Sequence, residues 1–153
     1  MQEHKRSGFT LMELLVVITV ILILVTTAVP FYKKQVMLAH ETAALRSIQT
    51  VQVSEAQYMA DFGEFASNLK QLGPVQTGSA GPEAADLIPQ NLAEGRDHGY
   101  EFALAGRTLG YRINAEPEGF NSSGRYTYYS DESLAIRRNS TPDPATAASP
   151  LLK

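Results

Sequence analysis

Residues that could carry acid, base or nucleophilic chemistry are few and scattered in this chain. The three histidines, His4, His40 and His98, stand in unrelated stretches, and the chain has no cysteine. None of the common catalytic spacings is present, neither Gly-x-Ser-x-Gly nor His-Glu-x-x-His nor a glycine-rich phosphate loop. The lack of cysteine also removes disulfides, thiolate metal sites and thiol nucleophiles. The sequence therefore predicts a protein that is not an enzyme and that needs no cofactor.

Calcium bound by oxygen ligands is the one metal chemistry that the acidic residues suggest. Asp131 and Glu132 are adjacent in a predicted turn, and Glu94 and Asp97 are further carboxylates of unknown position relative to them. Calcium takes about six to eight oxygen ligands, which one acidic pair does not supply. A solvated acidic turn is the simpler interpretation, so we predict no metal site and keep Asp131 and Glu132 as weak calcium candidates.

Glu13 is the only charged residue between Arg6 and Lys33, and it stands at the start of a long apolar run. From Leu14 to Phe31 the chain has thirteen Leu, Ile, Val or Phe residues, enough to cross a hydrocarbon core of about 30 Å as a helix. A carboxylate in hydrocarbon is costly unless it is paired, so Glu13 lies either at the headgroups or beside a functional partner. The positive tip at Lys5 and Arg6 predicts a cytoplasmic N-terminus and an outward C-terminus.

The N-terminus resembles the prepilin leader of type IV pilins and of the pseudopilins of type II secretion. The resemblance rests on about 25 residues, Lys5-Arg6-Ser7-Gly8-Phe9-Thr10-Leu11-Met12-Glu13-Leu14 and the apolar run that follows. It implies leader cleavage between Gly8 and Phe9 and N-methylation of Phe9. It also implies a role for Glu13 in subunit assembly and a helix break at Pro30.

By the same resemblance the mature chain is a structural subunit, a homo-oligomer in a helical filament that polymerises through the N-terminal helix. The implied partners are a prepilin peptidase and methyltransferase, an assembly ATPase and an inner-membrane platform. The implied location is the inner membrane as a single-pass protein, and then a periplasmic or cell-surface filament. Pilus (fimbrium), secretion pseudopilus and DNA-uptake filament all stay open. The alternative function is a single-pass anchor that carries a periplasmic binding module and does not polymerise. A cleaved secretory signal fits less well, because the apolar run is too long for one.

The helical pattern continues after the apolar run and becomes amphipathic over residues 33–62. Pro30 is expected to kink or locally break the helix, because its ring donates no hydrogen bond. Glu41 and Glu55 fall on the apolar face, where we expect them at the solvent edge, with pairing to a neighbouring subunit as the alternative. The face itself recurs at three- and four-residue steps and comprises Met37, Ala44, Ile48, Val51, Tyr58, Met59 and Phe62.

The rest of the chain divides into three segments by its glycine and proline content and by the repeat of its apolar residues. Glycine and proline recur through residues 63–98, which predicts a variable loop region with short helices at most. Residues 99–138 alternate with a period of two and predict an antiparallel meander of three or four strands, laid over the amphipathic helix. Residues 139–153 are mainly Ser, Thr, Pro, Ala and Asp and predict a disordered tail. With residues 1–8 as cleaved leader and 9–32 as transmembrane or filament-core helix, the sequence predicts a pilin-like α+β fold.

The charge balance argues against nucleic acid as a direct ligand. The formal charge is −3, and loss of Glu3, Lys5 and Arg6 with the leader makes the mature chain about −4 by the same count. Tyrosine-rich strands can stack on bases, but such proteins also need a basic groove along the phosphates. We therefore expect the tyrosines to pack in the core and on the sheet.

The glycine before Phe9 gives a direct test of leader processing. Replacing Gly8 by valine should leave the leader attached, because the peptidase has to reach the peptide bond at the cytoplasmic edge of the membrane. Mass spectrometry of the Gly8→Val protein should show the unprocessed N-terminus. A terminus at Phe9 in that variant would contradict the prepilin interpretation.

Overall fold

The computed structural model describes residues 9–107 and 109–152 and consists of one long helix followed by a small sheet. This confirms the predicted α+β architecture. The chain forms two compact units that divide between Gln35 and Val36, and the long helix belongs to both. We call the residues from Val36 onward the head. In chain order the elements are α1 (Leu11–Phe62), α2 (Leu69–Leu72), α3 (Gln90–Ala93), β1 (Arg96–Asp97), β2 (Tyr100–Arg107), β3 (Gly110–Pro117), β4 (Thr127–Asp131) and β5 (Arg137–Asn139).

The sheet is an antiparallel meander in which the five strands neighbour one another in chain order. β2 and β3 pair along their whole length, with Leu104 opposite Ile113. Because side chains alternate along a strand, Leu104 and Ile113 are buried on the inner face, while Arg107 and Arg112 are exposed on the other. The predicted strands are therefore present, and β1 adds a short one in the region that was predicted as loop.

The head half of α1 buries one side against the sheet and the loops. Ala44, Ile48, Val51 and Tyr58 are fully buried and share one core cluster with the inward side chains of β2, β3 and β4. Their three- and four-residue spacing is that of one helix face. Met59 differs from the prediction, since it is 41% exposed. It comes about 100° around the helix from Tyr58, which places it at the solvent edge of the face.

The end of α1 is fixed by Gly63, which has a φ of +78° and donates its N–H to the carbonyl of Met59 over 2.9 Å. A positive φ at this position is typical of a helix C-terminus and favours glycine. The chain then turns back, so that the predicted loop region begins beside the helix it has just left.

Residues 63–98 are held together by their own backbone bonds. Ala85 and Leu87 donate N–H groups to the carbonyls of Gln71 and Leu72, each over 2.8 Å. Leu72 and Leu92 are buried in the same core cluster as α1. The region thus contributes to the core of the head, although it holds only the four-residue helices α2 and α3 and the short strand β1.

The predicted disordered tail is instead packed on the sheet. Ala145 is 1% exposed, and the N–H of Leu152 donates to the carbonyl of Ile136 over 2.9 Å. Composition predicted disorder because the segment has few apolar side chains of its own. The structure differs because side chains of the sheet, far away in sequence, supply hydrogen bonds to the tail backbone.

Gly124 tests how tightly the loop before β4 is packed. A Cβ at this position would overlap the ring and hydroxyl of Tyr100, which is fully buried. Overpacking of this kind costs about 1 to 3 kcal/mol, so Gly124→Ala should lower the free energy of unfolding of the head by that amount. Denaturant unfolding followed by tyrosine fluorescence would measure it.

Gly81→Ala is the matched control, because a Cβ at Gly81 meets no atom within 4 Å. Equal stability of the Gly124→Ala and Gly81→Ala proteins would show that the loop yields freely around Tyr100.

Candidate functional site

The N-terminus of α1 is capped by Thr10. The N–H of Glu13 donates to Thr10 Oγ1 over 3.2 Å, and the N–H of Leu14 donates to the Thr10 carbonyl over 3.2 Å. Thr10 is therefore the N-cap residue and Glu13 the third residue of the helix. This cap is not among the features predicted from the sequence, although the Thr-x-x-Glu spacing is that of a capping box.

Glu13 lies exposed in the first turn of α1, where the partial positive charge of the helix N-terminus favours a carboxylate. Within residues 9–107 and 109–152, no Lys, Arg or His nitrogen lies within ion-pair distance of it. Phe9 is described and 78% exposed, whereas Gly8 and the leader lie outside the described residues. The cleaved bond, the methylated amine and the assembly role of Glu13 stay predictions.

The apolar run follows Glu13 as an uninterrupted helical stretch with exposed sides. Its large apolar side chains from Leu14 to Val29 are between 45% and 66% exposed. By length and composition this is the one helix in the described part of the chain that could cross a membrane. Thr19 and Thr26 donate their hydroxyls to carbonyls three residues earlier, over 2.7 and 2.8 Å. The segment is thus suited to dry surroundings, because these hydroxyls are satisfied within the helix.

Pro30 lies inside α1, which continues through it to Phe62. The kink or local break predicted at Pro30 rests on the missing N–H donor and on the clash of the proline ring with the carbonyl four residues earlier. Whether the helix kinks or melts there under load stays a prediction.

Glu41 is buried, 4% exposed, and it binds Arg125 in the loop before β4. Its Oε1 accepts the backbone N–H and the Nε–H of Arg125 over 2.9 and 3.0 Å, and its Oε2 accepts from Arg125 Nη2 over 2.9 Å. These bonds raise the pKa of the Arg125 guanidinium further above its ordinary value. The expected position of Glu41 at the solvent edge was wrong, because its partner comes from 84 residues away in the same chain.

Glu55 is also buried, with no exposed surface, so its predicted solvent-edge position was wrong as well. Its Oε2 accepts the N–H of Ala66 over 2.9 Å, while Oε1 has no hydrogen-bond partner in the described part of the chain. Burial raises the pKa of Glu55 to about 7, and the bond from Ala66 opposes that rise. The hydroxyl of Tyr111, also buried, is likewise without a described partner, and burial and then the charge of Glu55 raise its pKa.

The weak calcium candidates are engaged in the turn after β4. Although burial opposes it, hydrogen bonds from Ser133 and Tyr129 hold the pKa of Asp131 below its ordinary value. In the described ranges no three or more His, Asp or Glu side chains are grouped so as to hold a metal ion. Nothing in the structure therefore singles out Asp131 and Glu132 as calcium ligands.

The two described histidines, His40 and His98, make contacts that stabilise the fold. His40 Nδ1 lies 3.2 Å from the carbonyl of Ser123, and His98 Nδ1 contacts the carboxylate of Asp97. That carboxylate also accepts the hydroxyl of Ser47 and the amide of Asn91. Ser47 thus donates to the acid and not to a histidine, so this cluster ties α1, α3 and β1 together without forming a nucleophile and base pair.

The residues at the start of the chain decide which known proteins it resembles. A family model, the prokaryotic N-terminal methylation motif, matches residues 4–29. The match includes Gly8, Phe9 and Glu13, and it confirms the resemblance to a prepilin of the type IV pilin or pseudopilin kind. This motif marks a family of structural subunits, and with the apolar helix it supports membrane anchoring. No curated protein and no solved structure matches the chain.

Glu55 predicts that the head is less stable at neutral pH than at acid pH. A pKa raised from 4.5 to about 7 means that its stabilising contribution is complete below pH 4.5 and is lost as the pH rises through 7. At about 1.4 kcal/mol per pKa unit the loss reaches up to about 3 kcal/mol. Urea unfolding of the full chain in detergent, followed by tyrosine fluorescence, should show this fall between about pH 4.5 and about 7, with little further change at higher pH.

Glu55→Gln should remove most of the pH dependence, because its amide oxygen still accepts the Ala66 N–H. Glu118→Gln is the matched control, since Glu118 is exposed and the charge change is the same. A Glu55→Gln protein with the same pH profile as the parent would show that Glu55 does not titrate in this range.

Proposed function

We propose that the chain is a structural subunit of a type IV pilus or pseudopilus-like filament. It is made as a prepilin, cleaved after Gly8, methylated on the Phe9 amine and polymerised through α1. The observation that carries the proposal is the methylation-motif match over residues 4–29, which falls on the capped start of an exposed apolar helix.

The apolar run needs dry surroundings before and after assembly. Its thirteen large apolar side chains favour insertion into a bilayer by about 4 to 8 kcal/mol. A bundle of identical helices offers the same dryness once the subunit leaves the membrane. The proposed subunit therefore passes from lipid into the filament core without wetting this surface.

Glu13 gives the transfer its specificity. Before assembly its carboxylate stays near the headgroups at the cytoplasmic end of the helix. In a filament the methylated amine of Phe9, cationic near neutral pH, would lie among apolar helices and need a counter-charge. In one copy Glu13 is exposed and has no cation beside it among the described residues. The proposed partner is the Phe9 amine of a neighbouring copy.

The head suits a subunit that is pulled out of a membrane by its helix. Glu41, Ser47, Gln52 and Glu55 each bind a different part of the head from positions along α1. The proposed processing and assembly machinery is a prepilin peptidase and methyltransferase, an assembly ATPase and an inner-membrane platform. The proposed location is the inner membrane with the head outside, and then a periplasmic or surface filament.

Glu13→Leu should block assembly without blocking earlier steps. The variant should insert, be cleaved and be methylated like the parent, because an apolar side chain suits the membrane. In the filament it would leave a buried amine without its counter-charge, at a cost of about 3 to 5 kcal/mol per subunit. The experiment is expression in cells that lack the parent gene, with mass spectrometry of the terminus and a count of sheared filaments.

Glu13→Gln should be intermediate, since it keeps a hydrogen-bond acceptor without the charge, and Met12→Leu is the matched control. Normal filament numbers from processed Glu13→Leu protein would contradict the pairing. A parent chain that is neither cleaved nor methylated and forms no filaments would favour the single-pass anchored binding module instead.

A further inference from the structure

The C-terminal tail, residues 140–152, is held on the sheet as a bound peptide would be. Its main-chain carbonyls at Asp143, Ala145 and Ser149 accept hydrogen bonds over 2.8, 2.8 and 2.9 Å. The donors are side chains of three neighbouring strands, Asn114 on β3, Thr127 on β4 and Arg137 on β5. We call this side of the sheet the outer face. Recognition there depends on the tail backbone, so a second tail would be bound as well.

The tail also supplies the outermost pairing of the sheet. The N–H of Arg138 donates to the carbonyl of Pro150 over 3.0 Å, and Leu151 forms a bridge with Arg137. β5 has only three residues, and an uncovered strand edge presents unpaired N–H and C=O groups. The end of the tail therefore pairs with the exposed edge of β5, which otherwise has unpaired backbone groups.

The tail is held mainly by hydrogen bonds, with little apolar burial. Ala145 is the one buried residue of the described tail, and Leu151 is 52% exposed. A groove of about 420 Å³ stays open between the tail and the sheet, with Ala103, Arg107 and Tyr129 on one side and Ala147 on the other. No cysteine can lock the tail in place. Water replaces these hydrogen bonds once the tail leaves, so the net contribution of each bond to holding the tail is modest.

We propose that the outer face is a docking surface for the tail of a second copy, which replaces the chain's own tail in the assembled state. Because the incoming tail is identical, every contact that is lost within the chain is regained between chains. The three exposed residues Ser140 to Pro142 connect β5 to the first docked carbonyl, that of Asp143, and a change in their backbone would redirect the tail. The proposal rests on the proposed filament, in which neighbouring heads raise the effective concentration of tails.

The experiment uses two single-cysteine variants of the full chain, Ala103→Cys on the sheet and Ala147→Cys on the tail. Both alanines are exposed, both line the same groove, and the parent has no cysteine to interfere. The variants are co-expressed, and sheared filaments are treated with a short bifunctional thiol cross-linker. Exchange of tails predicts covalent dimers about tenfold or more above a control pair in which Ser122→Cys replaces Ala103→Cys. Ser122 is exposed on the loop before β4 and does not line the groove.

A second arm does not require filaments. The purified variants are mixed in detergent at increasing protein concentration, and exchange predicts dimers that increase with concentration. The doubly substituted Ala103→Cys/Ala147→Cys chain should cross-link within itself when dilute, which shows that the cysteines can meet. Cross-linking within the double variant without dimers above control, in filaments or in concentrated detergent solution, would overturn tail exchange. Normal filaments in that case would leave the proposed function standing, whereas dimers in detergent without any filaments would support exchange and count against the filament.

Discussion

The apolar stretch of α1 has to stay out of water, and the rest of the molecule is arranged around that constraint. Its large apolar side chains from Leu14 to Val29 are about half exposed or more in the isolated chain. At about 25 cal/mol per Å² of apolar surface, such a stretch cannot remain solvated. A helix satisfies all backbone groups within the segment, and Thr19 and Thr26 satisfy their hydroxyls there too. Glu13 is the one charged residue between Arg6 and Lys33, so dry surroundings leave it in need of a partner, and the motif match includes it.

Polar side chains on the otherwise apolar face of α1 fix the position of the head along the helix. Glu41 binds Arg125, Ser47 binds Asp97, and Gln52 donates to Ser130 Oγ over 2.7 Å. Three separate parts of the head are thereby placed at defined positions along α1. The Glu41 carboxylate is buried while the Arg125 side chain is about half exposed, so a shift of the sheet along the helix would leave a buried carboxylate without its counter-charge. Apolar contacts alone would permit sliding along the helix.

Local patterns in the sequence predicted those features of the structure that depend only on residues close together in the chain. The membrane-length run, the leader motif and the alternating strands are properties of short windows, and each was found. The burial of Glu41 and Glu55 depends on Arg125 and Ala66, which no periodicity around either glutamate reveals. The prediction of a disordered tail was wrong for the same reason, since the side chains that donate hydrogen bonds to the tail are on β3, β4 and β5. Thr10 is different, because its cap was visible as Thr-x-x-Glu and was missed.

Glu55 is a carboxyl group at the centre of an apolar core, and the turn after α1 explains its position. α1 ends at Gly63, and the chain must reverse at once so that Ala66 and α2 can pack against the helix. Reversal buries the N–H of Ala66, which needs an acceptor, and Glu55 Oε2 provides it from about two helix turns before the end of α1. The cost of a buried charge is avoided when Glu55 takes up a proton, which a pKa near 7 permits. Glu55 Oε1 and the Tyr111 hydroxyl, which have no hydrogen-bond partner among residues 9–107 and 109–152, are what remains of that cost. The turn at the end of the helix is therefore specified by a hydrogen bond whose acceptor stays neutral below pH 7.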